Sequence, residues 1–89
     1  MIGAKQAVQI AKEKAAEILD EASSSLEELE RETYAGRDVW SITLSMPRNL
    51  KHLSAIAQLA TDPLQYKRFL IDVETEELVA MKIRDVATR

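Results

Sequence analysis

The sequence predicts an α+β domain: a long N-terminal helix packed on a four-stranded antiparallel sheet, with a short crossover helix between strands 2 and 3. Three observations carry that expectation. From about Ala4 to Ser23 apolar residues recur in alternating steps of four and three, the mark of an amphipathic helix. From Trp40 to Met46 they alternate strictly, as in a half-buried strand. Two further runs, Tyr66 to Val73 and Leu78 to Val86, flank a polar turn. At 89 residues this is a single domain, residues 1–89, near the lower end of what one core can hold together. An apolar fraction of 46% is ordinary for a globular chain, so disorder is not expected. The only aromatics are Tyr34, Trp40, Tyr66 and Phe69, so the core rests on Ala, Leu, Ile and Val and its margin is thin. Dimerisation would bury more surface.

Along the helix, Ala4, Val8, Ala11, Ala15, Ile18 and Ala22 form one stripe, with Lys5, Lys12, Glu13, Lys14, Glu17, Asp20 and Glu21 mostly off it. An Ala-rich stripe allows close approach to a sheet, and it is too short for a convincing coiled-coil seam. Ser23-Ser24-Ser25 is expected to end the helix, since serines favour caps and turns. The next stretch, Leu26 to Tyr34, reads two ways. It has helical propensity, yet Leu29, Arg31 and Thr33 alternate with Glu28, Glu30 and Glu32 as in an edge strand with a charged face. Ala35-Gly36-Arg37-Asp38 reads as a hairpin turn, and that favours the strand.

The following strand sets Trp40, Ile42, Leu44 and Met46 on one side and Ser41, Thr43 and Ser45 on the other, and Pro47 closes it. Leu50, Leu53, Ile56, Ala57 and Ala60 keep helical spacing until Asp62-Pro63 stops the run, which predicts the crossover helix. The third strand places Phe69, Ile71 and Val73 opposite Arg68, Leu70 and Asp72. After the turn Glu74-Thr75-Glu76-Glu77, the last strand sets Val79, Met81 and Ile83 inward and Lys82 and Arg84 outward.

Composition excludes several functions. Twelve Lys and Arg against fifteen Asp and Glu leave a net charge of -3, unsuited to neutralising a phosphate backbone, so no nucleic-acid partner is expected. The absence of cysteine rules out disulfides, thiolate metal sites and cysteine nucleophiles, and fits a reducing compartment. The N-terminus, Met1 to Gln6, soon turns polar, and no apolar run approaches the ~20 residues that span a bilayer. A cytoplasmic protein with no membrane partner is the expectation.

The Ala-rich charged helix, the strand Val39-Trp40-Ser41-Ile42-Thr43-Leu44 and the run Tyr66 to Ile83 together resemble the PepSY-like proteins, small helix-plus-sheet domains with a cystatin-like arrangement. The strongest part is the final hairpin, where that family carries an Asp, a Thr-Gly pair at the turn and an apolar strand after it. Asp72 and Thr75 match, whereas Glu76 stands at the usual Gly position, where a positive φ is harder for a side-chain-bearing residue. The resemblance implies inhibition of peptidases or partner binding. It also suggests bacterial immunity proteins. The family has no shared catalytic set to carry over.

Candidate chemistry is sparse. His52 is the only histidine, with no second His and no Cys to complete a metal site and no nearby acid in sequence, so it reads as a polar position on the crossover helix. Asp72, Glu74, Glu76 and Glu77 are dense in oxygen but lack EF-hand spacing. Ser41, Ser45 and Ser54 lack a nucleophile elbow, and Gly3 and Gly36 cannot cradle phosphate. No catalytic residue, metal or cofactor is expected. Glu27, Glu28, Glu30 and Glu32 make an acidic patch, extended by Glu17, Asp20 and Glu21 on the helix, whose plainest role is solvation against strand-to-strand aggregation and whose sharper one is docking on a basic partner. Tyr34, Tyr66, Arg68 and Leu70 lie on the sheet face away from Phe69, where an uncovered face would expose an apolar patch. The expectation is a non-enzymatic protein-binding module, inhibitory, immunity-type or accessory, acting through those residues on an unidentified protein. A homodimer is compatible with it. The alternative is a small-molecule site between helix and sheet, lined by Trp40 and Met81.

Overall fold

A computed structural model describes residues 1–20, 23–47, 54–61 and 63–84. Glu21, Ala22, Leu50, His52, Leu53, Asp62 and Val86, each given a place above, lie outside the described residues. The elements are α1 (Ala4–Leu19), β1 (Ser25–Tyr34), β2 (Arg37–Pro47), α2 (Ala55–Ala60), β3 (Leu64–Asp72) and β4 (Leu78–Arg84). The strands form an antiparallel sheet in the order β1-β2-β3-β4, with α1 on one face. The fold is α+β, and the ambiguous stretch after α1 is a strand.

The first helix ends at Leu19, short of the serines. Asp20 turns left-handed (φ 54°, ψ 39°) and its N–H bonds back to the Ala15 carbonyl, which stops the helix before Ser23 is reached. The buried seam also differs from the expected stripe. Ala7, Ala11 and Ala15 are fully buried, with Val8, Ile10 and Leu19 packed beside them, while Ile18 is half exposed. Steps of four overrun the 3.6-residue turn, so the contact line winds slowly round the helix and leaves Ile18 off it. Three alanines in line bring the α1 backbone close to Ile42, Leu44, Met46, Phe69 and Ile71.

α1 packs mainly over the central strands β2 and β3. That decides the fate of the apolar residues on β1 and β4. Met81 is paired with Phe69 and Ile83 with Lys67, so both face the helix side, yet they are 36% and 76% exposed. Leu26 and Leu29 on β1 are likewise uncovered. The inward reading of β4 therefore needs two corrections. Ile83 has no helix above it. Val79 is displaced by a bulge: the register slips so that Leu70 faces Ala80 and Ile71 faces Leu78, and Leu78 joins the core instead. Ile56, on the short α2, is also exposed; Ser54 caps that helix by accepting from Ala57 N–H, and no described residue of it is buried.

The face away from α1 is also buried along its centre. Val39, Ser41, Thr43, Ser45 and Leu70 are all buried there. Lys82 of β4 sets its ammonium 4.7 Å from the ring centre of Tyr34 on β1. A flat sheet would hold the first and fourth strands about 14 Å apart. The contact therefore requires a strongly coiled sheet whose two diagonal corners fold over this face. The molecule is a thin slab, 47 × 28 × 17 Å, and its radius of gyration of 14.3 Å exceeds the roughly 12 Å of a compact chain this long.

Candidate functional site

The seven residues singled out from sequence share one face of the sheet. Cross-strand rows run Glu28–Thr43–Arg68–Lys82 and Glu30–Ser41–Leu70–Ala80. Glu32 lies in the row of Val39 and Asp72, Tyr66 beside Ser45, and Tyr34 beside Arg37 at the turn. The expected apolar patch is absent. Leu70 is 1% exposed, so it offers no surface to a partner. Tyr34, Tyr66 and Arg68 are half-buried. Among the seven, Glu28 and Glu30 are exposed, with Glu32 half-buried beside them.

They belong to the ten-residue β1, whose outer side carries no strand among the described residues. Every residue from Ser25 to Arg31 is exposed. A bulge between Leu26 and Glu28 leaves Glu27 extra, and Glu27 turns over the sheet to accept a hydrogen bond from Ser45 Oγ at 2.7 Å. Leu26 and Leu29 lie on the helix side and Glu28, Glu30 and Glu32 on the other, so this edge is amphipathic along its length. Arg31 extends over the Trp40 ring at 5.3 Å and reaches Asp38 at 3.7 Å. Trp40 in turn donates its indole N–H to the Ile2 carbonyl, at 3.1 Å.

A second constellation, which sequence spacing does not signal, ties the two hairpin turns together. Ala35 and Gly36 both have positive φ, as the tight turn between β1 and β2 requires. Arg37 follows immediately. Its Nε and Nη2 each lie 2.7 Å from Asp72 Oδ2, and Nη2 is 3.5 Å from Thr75 Oγ1 and 3.6 Å from Glu77 Oε1. Asp72 Oδ1 accepts the backbone N–H groups of Glu74 (2.7 Å) and Thr75 (2.9 Å). The Thr75 and Glu74 N–H groups, with the Arg37 guanidinium behind them, hold the Asp72 carboxyl below its ordinary value against the opposing pull of burial. Glu76 takes the positive φ of 65° that the turn demands, and Gln6 on α1 donates to its carboxylate at 3.3 Å. Asp72 and Thr75 were visible as a motif; Arg37 was not, because thirty-five residues separate it from Asp72. With both oxygens engaged by donors of the same chain, Asp72 is a structural clamp.

A shallow groove of about 470 Å³ runs along α1, lined by Lys5, Val8, Gln9, Lys12, Glu13 and Ala16. It lies away from Trp40 and Met81, the residues expected to line a small-molecule site. Among the described residues no helix is long and apolar enough to cross a membrane. No protein-family model matches the chain, and neither the curated proteins nor the solved structures give a match.

Proposed function

We propose that this is a non-catalytic protein-binding module of PepSY-like build, inhibitory, immunity-type or accessory, that engages a basic partner along β1. One observation carries the reading: a ten-residue edge strand, exposed from Ser25 to Arg31, with Glu28, Glu30 and Glu32 in line on one side and Leu26 and Leu29 on the other. Such an edge offers free backbone donors and acceptors to an added strand. Its carboxylates favour Lys or Arg at alternate positions of that strand and repel acidic competitors. The Asp72 and Thr75 turn supports the PepSY-like part of the proposal, since its Asp and Thr side chains both bond within the turn.

The test is affinity capture with the wild-type chain and with a Glu28→Lys, Glu30→Lys, Glu32→Lys variant, at low and high salt. We expect a specific protein retained by the wild type, weakened by salt, and lost by about tenfold or more in the variant. Equal retention by both would move the site off β1. No stable protein partner, together with tight binding of a metabolite, would overturn the reading.

A further inference from the structure

The opposite edge of the sheet has different chemistry. β4 runs seven residues, Leu78–Arg84, and among the described residues no strand lies beyond it. Natural sheets guard such an edge with charge, proline or cover. Here the guard is withdrawn. Lys82 folds its ammonium back over Tyr34, α1 packs mainly on the central strands, and Met81 and Ile83 stand in solvent beside Val79.

We infer that β4 pairs antiparallel with β4 of a second copy of this chain, centred on Met81, to make a continuous sheet of twice four strands. Charge selects both the edge and the register. If β1 paired with itself about Glu30, Glu30 would face Glu30 and Glu28 would face Glu32, a row of directly opposed carboxylates. If β4 pairs with itself about Met81, Met81 faces Met81 and Ala80 faces Lys82, with no like charges directly opposed and Val79 outside the register at the bulge. Moving the centre to Lys82 would oppose two lysines, so Met81 is the favoured axis. Seven residues a side is fewer than the 20–30 of a standard interface, so the pairing depends on protein concentration. This inference is independent of β1, which it leaves free at both ends of the joined sheet.

The chain has no cysteine, so introduced thiols report the register cleanly. Under mild oxidation Met81→Cys should cross-link into a dimer, and Ile83→Cys should not. Two residues meeting on the axis lie within the Cα separation a disulfide spans. In sedimentation the wild type should rise from 10.0 kDa toward twice that mass with concentration, while Ile83→Glu, at an exposed position, should stay monomeric. A wild type that remains monomeric at the highest soluble concentration would overturn the proposal. So would cross-linking of Ile83→Cys as complete as that of Met81→Cys.

Discussion

The two edges of this sheet differ more than its two faces do. β1 is long, bulged and acidic, with Glu28, Glu30 and Glu32 in one row; β4 is shorter and carries Met81 and Ile83 uncovered. Both hang from the same two central strands, and both are largely bare for the same reason: α1 packs mainly on β2 and β3. The difference is therefore one of chemistry set on a common scaffold. Like charge makes β1 unsuited to its own copy and suited to a basic strand, whereas the apolar residues of β4 suit its own copy.

The harshest way to break the comparison is to remove the shared support. Phe69 is fully buried between the two edges, so Phe69→Ala should cost about 3–5 kcal/mol in denaturant unfolding. Loss should come in one transition, because neither edge packs on α1 alone; two separated transitions would show that the hairpins stand independently.

The clamp joining the hairpin turns gives a gentler break, and one that depends on pH. Asp72 is held below its ordinary value of 3.8, so its ionised form contributes stability at all pH above that value. That contribution is lost as pH falls through the lower folded value. Asp72→Asn should thus lower the melting temperature at neutral pH and flatten the acid limb of the stability profile. An unchanged acid limb would mean that the ionised Asp72 carboxylate, with its Thr75, Glu74 and Arg37 donors, does not hold the turn.

Charge removal sharpens the contrast between the edges directly. Glu28→Gln, Glu30→Gln, Glu32→Gln should leave the fold within about 1 kcal/mol of the wild type, as surface substitutions do. It should nevertheless promote association in light scattering, because an uncharged long edge is a template for pairing. A variant no more prone to associate would show that the carboxylates do not protect β1. The smallest effect belongs to the β4 turn, where Glu76 holds φ at 65°. Glu76→Gly should raise stability by roughly 1 kcal/mol, relief of the left-handed strain outweighing the weak exposed contact from Gln6. A loss measured by denaturant titration would assign Glu76 a larger role.

Much of this was legible in order of residues. Alternation alone placed Ile42, Leu44 and Met46 inward, Gly36 marked the hairpin, and Pro47 marked the end of β2. The helix end was not legible: Asp20 adopts the left-handed conformation that sequence reasoning reserves for Gly or Asn. The acidic edge could be read from Glu28, Glu30 and Glu32, since a strand sets alternate residues on one face wherever it lies.

Periodicity by itself determined which residues share a face, because a side chain's direction follows from local backbone geometry. Tertiary structure decided which of those faces are covered. Leu70 and Ile83 show the difference. One sits in the row expected to be open and is buried; the other sits in the row expected to be inward and is bare beside the helix. Coverage depends on how far a helix extends across a sheet and how strongly that sheet coils, and both are properties of the assembled elements rather than of any one of them.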